Sequence, residues 1–376
     1  MDPFKNIRPY TDAEVAEVLQ SLANNSSVLK ALIGLQFPGI LSKAPFLKFF
    51  VKRNLTSQIK NIQTIDDYQM IFKDLMEKVV KESIASFKVN GLERLNKNDN
   101  YLYISNHRDI SLDAALLALH LHKSGFKTFN IAVGNNLMEE TWASDLFRLN
   151  KSFIIQRSGG SKKEIYSGLS LASKFIHQSI FQDNTSVWIA QKQGRAKDGI
   201  DETDPALLKM IHLSERKSQH TAHYFNTLKV VPVSISYEYD PNDQLKAREL
   251  DLLQANSEYL KEKDEDLKSI ANGITGFKGN VTINLSEPMI FAEDDGYQMI
   301  SNKITQSILT NYKLHASNYA ACKLMGLDFT QETFDAEEIT MAETELNQRV
   351  QSLETGARSK LLEQYANPVI RQIQST

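Results

Sequence analysis

The sequence predicts an α/β fold: a mostly parallel central sheet flanked by helices, with helical additions at the N- and C-terminal ends. Three observations predict it. Short apolar runs of strand length recur between residues 101 and 285. Stretches long enough for helices lie between them, and segments of helical periodicity fill both ends of the chain. With 376 residues, 41% hydrophobic and 24% charged, there is room for one large α/β domain with additions, and wholesale disorder is excluded.

Residues 1 to about 85 read as helical. Asp12 is placed to cap a first helix, and from Asp66 to Phe87 the residues Met70, Leu75, Val79 and Ile84 recur at helical spacing. After Val89 the pattern changes. Strands are predicted at Tyr101–Ile104, Phe129–Val133, Phe153–Ile155, Val187–Ala190 and Val230–Ile235, with helices at Leu112–His122 and Glu164–Ile180 between them. Such alternation predicts parallel strands covered by helices. A last strand, Asn280–Leu285, follows the charged segment Lys261–Lys268, and from about Glu293 the chain is helical again, with an acidic exposed face. The expected segments are a helical, basic and apolar region at 1–85, an α/β domain at 86–292 and a helical extension at 293–376.

A net charge of −3 excludes a nucleic-acid polycation, and the single cysteine, Cys322, excludes an internal disulfide framework and suits a reducing compartment. Met1-Asp2-Pro3-Phe4 is not a basic region followed by an apolar run, so no secretory signal is expected; nor is a spanning helix, for want of about 18 successive apolar residues. The charge is unevenly spread. No acidic residue occurs from Val18 to Ile65, where Lys30, Lys43, Lys48, Lys52, Arg53 and Lys60 interleave with large residues such as Phe37, Ile40, Leu41, Phe46, Phe49 and Phe50. Apolar groups at the acyl boundary with lysines near anionic headgroups make an interfacial segment. The alternative is a pair of core-packing helices broken at Pro38 and Pro45, with solvated lysines. The expected location is cytoplasmic, peripherally associated with the inner face of a membrane.

In open α/β sheets, ligands bind beyond the carboxyl ends of the strands. Here the first predicted strand runs into Ser105-Asn106-His107-Arg108-Asp109, and the third into Gln156-Arg157-Ser158-Gly159-Gly160. The fourth runs into Gln191-Lys192-Gln193-Gly194-Arg195-Ala196-Lys197, and the fifth, which contains Pro232, ends at Tyr237-Glu238. A histidine in such a loop with a carboxylate shortly after it suits general-base catalysis; Asp109 and Asp113 are the candidate carboxylates for His107. Arg157, Lys192, Arg195 and Lys197 lie near glycines, and a helix start adds backbone N–H groups, a setting for a phosphate or carboxylate. His107-Arg108-Asp109 copies the start of a kinase catalytic loop. That reading fails because Ala114 stands at the magnesium-binding asparagine position and neither Asp-Phe-Gly nor a glycine-rich loop is present. His120 and His122 have no third metal ligand at a recognised spacing and read as exposed helix histidines; His220 and His223 read as residues of a polar loop.

From about Val89 to Phe291 the chain resembles the glycerol-3-phosphate and 1-acylglycerol-3-phosphate acyltransferases, in four blocks in that family's order. The first is Asn106-His107 with Asp113, and the second an apolar strand ending in arginine, Phe153-Ile154-Ile155-Gln156-Arg157. The third is Ala190-Gln191-Lys192-Gln193-Gly194-Arg195, and the fourth an apolar strand with proline, Val231-Pro232-Val233-Ser234-Ile235. Two positions depart from the family pattern. Five residues, not four, separate His107 from Asp113, and Gln193 stands where the family usually has glutamate.

The resemblance implies an O-acyltransferase of phospholipid biosynthesis that moves a fatty acyl group from an acyl carrier protein or coenzyme A thioester to glycerol-3-phosphate or a lysophospholipid such as lysophosphatidic acid. It makes His107 the base and Asp113 its orienting partner, with Asp109 as the alternative. It gives acceptor binding to Arg157, Lys192, Gln193, Gly194 and Arg195. It implies no metal and no cofactor beyond the acyl-ACP or acyl-CoA co-substrate, and partners limited to donor, acceptor and membrane surface, with no nucleic acid. The alternatives are acylation of a lyso-amino-acid lipid and a lipid-binding homologue that has lost turnover through Gln193.

Overall fold

The computed structural model describes residues 2–36, 45–135, 141–256, 258–261, 265–327, 329 and 333–375. Among these residues four helices come first: α1 (Asp12–Asn24), α2 (Ser26–Gln36), α3 (Pro45–Ile59) and α4 (Ile65–Ser83). Strands and helices then alternate through β1 (Ser86–Asn90), β2 (Leu102–Ser105), α5 (Leu112–Lys123), β3 (Asn130–Gly134), α6 (Thr141–Leu149), β4 (Ser152–Ile155) and α7 (Lys162–Phe181). Next come β5 (Val187–Ala190), α8 (Pro205–Ile211), α9 (Thr221–Thr227), β6 (Val230–Tyr237), α10 (Asp243–Asn256), α11 (Glu265–Thr275) and β7 (Asn280–Leu285). The chain closes with α12 (Tyr297–Asn311), α13 (Ala316–Leu324), α14 (Ala336–Gln351) and α15 (Thr355–Ser375).

The chain divides into two compact units, 1–75 with 130–175, and 76–129 with 176–376. In the first, β3 and β4 pair in parallel, with Ile131 opposite Ser152 and Gly134 opposite Ile155. Val15, Leu19 and Leu22 of α1 pack with Ile62, Ile65 and Leu149. Thr11, not Asp12, caps α1, in a reciprocal box with Glu14. Asp12 accepts from the backbone N–H of Ile65 instead (2.8 Å), so its carboxylate serves a tertiary contact that local sequence does not reveal. Pro45 opens α3 rather than breaking a helix, since the first helical position needs no N–H. The predicted break at Pro38, and Phe37, Ile40, Leu41 and Lys43 of the basic apolar segment, lie outside the described residues. Along α3, Val51 is buried with Leu29 and Ile33, while Phe49 and Phe50 are 64% and 60% exposed beside the exposed Lys48, Lys52 and Arg53.

Among the described residues, the second unit holds five strands in the order β1-β7-β6-β2-β5. All neighbours are parallel except β6 and β7, which run antiparallel. β6 is buried along its whole length. Pro232 is tolerated there because of the direction its peptide faces. Its carbonyl accepts from Ser286 N–H on the β7 side, so the N–H it lacks belongs to that side, at the end of the β6–β7 pairing, and β2 loses nothing. Helical periodicity does not run to Phe87: α4 stops at Ser83, and Phe87 and Val89 belong to β1, which the sequence reading missed. The cause is long-range, since every β1 partner lies on β7, nearly two hundred residues later. Helix α12 packs on β6, and α13, α14 and α15 form a helical core with Ala247 of α10. Among the described residues no helix is long and apolar enough to cross a membrane.

Candidate active site

Pairing of β2 with β6 ends at Ser105 opposite Val233. Beyond it, the Asn106 side chain takes over the ladder: its Oδ1 accepts from Ile235 N–H at 2.7 Å and its Nδ2 donates to Ile235 O at 2.9 Å. An asparagine amide offers the same donor and acceptor as a peptide, so the backbone of β2 can leave the sheet without stranding polar groups on β6. The residue released by this departure is His107.

His107 Nδ1 lies 2.8 Å from Asp113 Oδ2. Asp113 is fully buried in the first turn of α5 and collects three further donors: Arg108 N–H (2.6 Å) and Asp109 N–H (3.1 Å) on Oδ2, and the Tyr237 hydroxyl (2.9 Å) on Oδ1. Four donors on two oxygens suit a carboxylate anion, which can only accept. Nδ1 therefore carries the proton and Nε2 presents its lone pair. Nε2 has no protein partner among the described residues, and the side chain is 15% exposed. The ring meets Trp188 edge to face, with centroids 6.0 Å apart at 73°. The five-residue spacing is absorbed in the turn. Asp109 Oδ1 accepts from the N–H groups of Ser111 (3.0 Å) and Leu112 (2.9 Å), capping α5, so Asp109 faces the helix start while Asp113 faces the imidazole. Burial, then the nearby Asp113, push the Asp109 carboxyl above the usual range.

Asp201, a residue the sequence reading passed over, joins this loop to the next. Its carboxylate accepts from Arg108 Nη2 (2.6 Å), Asn106 Nδ2 (3.1 Å) and Gln191 Nε2 (3.3 Å). Burial raises the Asp201 carboxyl, and the Arg108 guanidinium opposes that. Arg108 is itself buried, with its guanidinium over the Tyr312 ring, and is committed to holding the two loops rather than to meeting solvent. Lys246 completes the clamp, donating to Arg108 O at 2.7 Å and to Asp240. Burial would neutralise Asp240, but Lys246 keeps its carboxyl below the usual range.

The loop after β5 meets the histidine loop along the backbone. Gln191 N–H donates to Ser105 O (2.7 Å) and Ala196 N–H to His107 O (2.9 Å), which sets Arg195 next to a residue bonded to the catalytic candidate. Gly194 has a φ of 77°, with nothing within 4 Å of where a Cβ would stand; the turn asks for a left-handed residue, not for space. Gln193 and Gly194 are exposed, and Arg195 is half-buried and donates to Ser269 Oγ of α11 (2.6 Å). One turn on, Gly273 lies so close to Asp109 that a Cβ would meet its Oδ2 at 2.2 Å. Helix α11 therefore touches both loops from one face, at positions four residues apart. Lys192 donates to Ile200 O (3.0 Å). Lys197, counted above with the basic cluster, is tied to Glu249.

Arg157 belongs to the first unit. Its backbone N–H donates to Asn135 Oδ1 (2.9 Å), and Asn135 Nδ2 donates to Ser158 O (2.8 Å), latching the loops after β3 and β4 together. Ser161 N–H at the start of α7 is taken by Glu164 (2.6 Å), so this helix start offers fewer bare N–H groups than its glycines imply. Among the other histidines, the buried His212 and His315 have structural settings. His120 is half-buried with its ring edge on Phe87, not exposed; His223 lies within α9 rather than in a loop, while His220 is in the loop just before it. His212 bonds Tyr297 (2.9 Å) and stacks on Tyr224, and burial depresses His315 to about 4. Tyr237, Asp201 and Ser269 carried no sequence signal beyond the position of Tyr237 at a strand end.

Residues 86–198 match the family model described as Acyltransferase. No curated protein matches the chain. Among solved structures, the chain is similar to the crystal structure of the 1-acyl-sn-glycerophosphate (LPA) acyltransferase PlsC from Thermotoga maritima, at 12% identity, over 84% of this chain and 97% of that one, with a TM-score of 0.37. That likeness is too distant to bear on function.

Proposed function

We propose that this chain, whose residues 86–198 match the acyltransferase family model, moves a fatty acyl group from a coenzyme A or acyl carrier protein thioester to a hydroxyl of glycerol-3-phosphate or a lysophospholipid. The observation that carries the reading is the His107–Asp113 pair inside that matched stretch, with Nδ1 2.8 Å from the carboxylate. Nε2 takes the proton of the acceptor hydroxyl as its oxygen attacks the thioester carbonyl carbon. The tetrahedral intermediate collapses, the C–S bond breaks, and the leaving thiolate takes the proton back from the imidazolium. Asp113 holds the tautomer and steadies the charged ring.

Arg195 binds the acceptor's phosphate, with Lys192, Gln193 and Gly194 lining the same loop, and the family resemblance alone assigns Arg157 to the acceptor. Gln193 can hydrogen-bond but carries no charge, so it adds no repulsion toward the acceptor's anion. Arg157→Ala and Arg195→Ala should each raise the KM for the anionic acceptor about tenfold, with kcat little changed. Steady-state kinetics over glycerol-3-phosphate, lysophosphatidate and a lyso-amino-acid lipid tests this; an unchanged KM would place the phosphate elsewhere. Turnover with the lyso-amino-acid lipid alone would change the acceptor class.

The protein works at the cytoplasmic face of a membrane, held by α3. Support comes from the exposed Phe49 and Phe50 beside Lys48, Lys52 and Arg53. Each lysine or arginine near an anionic surface gains about 1 kcal/mol. In liposome flotation, recovery should be several-fold higher with anionic lipid than with zwitterionic lipid alone. Equal recovery would rule out electrostatic docking.

A further inference from the structure

We propose that Tyr237 is a positioning residue that tunes the basicity of His107 through Asp113, a third member of the relay contributed by the end of β6. The idea rests on the reading of His107 as the base. Asp113 Oδ2 is shared by the imidazole and two backbone N–H groups, whereas Oδ1 meets the Tyr237 hydroxyl at 2.9 Å. The tyrosine is buried, and burial, then the Asp113, Asp109 and Asp240 carboxylates, keep its hydroxyl protonated far above neutral pH, so it serves as a fixed donor.

Its place is set by the fold rather than by the loop. Tyr237 pairs with Val281 of β7, and two residues earlier Ile235 is bonded on both sides by Asn106. The same strand thus anchors the residue before the histidine and the carboxylate behind it. Hydrogen bonds donated to a carboxylate disperse its charge and lower its proton affinity. A carboxylate relieved of one donor holds the imidazolium more tightly, or takes up a proton itself at higher pH. Either route moves the acid limb of the pH–rate profile upward.

Tyr237→Phe removes the hydroxyl and keeps the ring. In the intact variant, the acid limb of kcat/KM and the titration of His107 followed by histidine NMR should both move up by roughly half to one pH unit. At pH 7 kcat should fall about two- to threefold with acceptor KM unchanged. A fall in kcat with neither curve displaced would reduce Tyr237 to packing and overturn the proposal. Should the phenylalanine variant not fold, fluorotyrosine at 237, a stronger donor in the same space, should move the His107 titration down; no movement would overturn the proposal equally. The NMR titration needs no substrate. A displaced His107 curve in a protein that transfers no acyl group would refute the proposed function and leave the relay standing.

Discussion

His107→Ala should lower acyl transfer by roughly 10³-fold or more while the protein keeps its fold. The expected size follows from what the ring supplies. General-base assistance accounts for about 10²–10⁴ in rate, and without the imidazole the neutral acceptor hydroxyl must attack with its proton still in place. The fold should survive because the side chain is partly exposed and makes one polar contact, to Asp113, which keeps three other donors. The check is initial rate with labelled donor, alongside circular dichroism and thermal melting of both proteins. A variant with near-normal turnover would remove His107 from the chemistry.

The second large effect is on stability. Asp201→Leu should cost about 3–5 kcal/mol, because it leaves a buried guanidinium without its counter-charge. Arg108 Nη2 sits 2.6 Å from the Asp201 carboxylate, and the amides of Asn106 and Gln191 would lose an acceptor as well. Urea denaturation measures the loss. The double variant Arg108→Met with Asp201→Leu should recover part of it, because no unpaired charge then remains. If the single variant loses under about 1 kcal/mol, the buried pair is not what joins the two loops.

Much of this architecture was legible in the sequence. Strands β2 to β7 announced themselves as apolar runs between turns, and the polar residues after β2, β4 and β5 marked where a site belongs in an α/β sheet. His107 and Asp113 were visible as a histidine followed by an acid at a helix start. The residues alone left Asp109 and Asp113 open and only the resemblance favoured Asp113, since the choice depends on a capping turn in which Asp109 bonds the N–H groups of Ser111 and Leu112. β1 was hidden because its pairing partner is β7 and Phe87 continues the helical spacing of α4 by coincidence. Asp201, Lys246 and Ser269 were invisible for a similar reason. Each is an ordinary polar residue whose importance comes from burial against a distant loop: Asp201 against Arg108, Lys246 against the carbonyl of Arg108, Ser269 against Arg195. Charge count also misled in one place. Lys197 resembles a ligand-binding cation in the sequence, yet Glu249 engages it.

The most direct measurement is incubation of the purified chain with labelled acyl-coenzyme A or acyl–acyl carrier protein and each acceptor in turn, followed by analysis of the lipid products. Labelled ester should form only when glycerol-3-phosphate or a lysophospholipid is present, and should vanish with His107→Ala. Absence of ester with every donor and acceptor, or label released only as free fatty acid, would contradict acyl transfer by this chain.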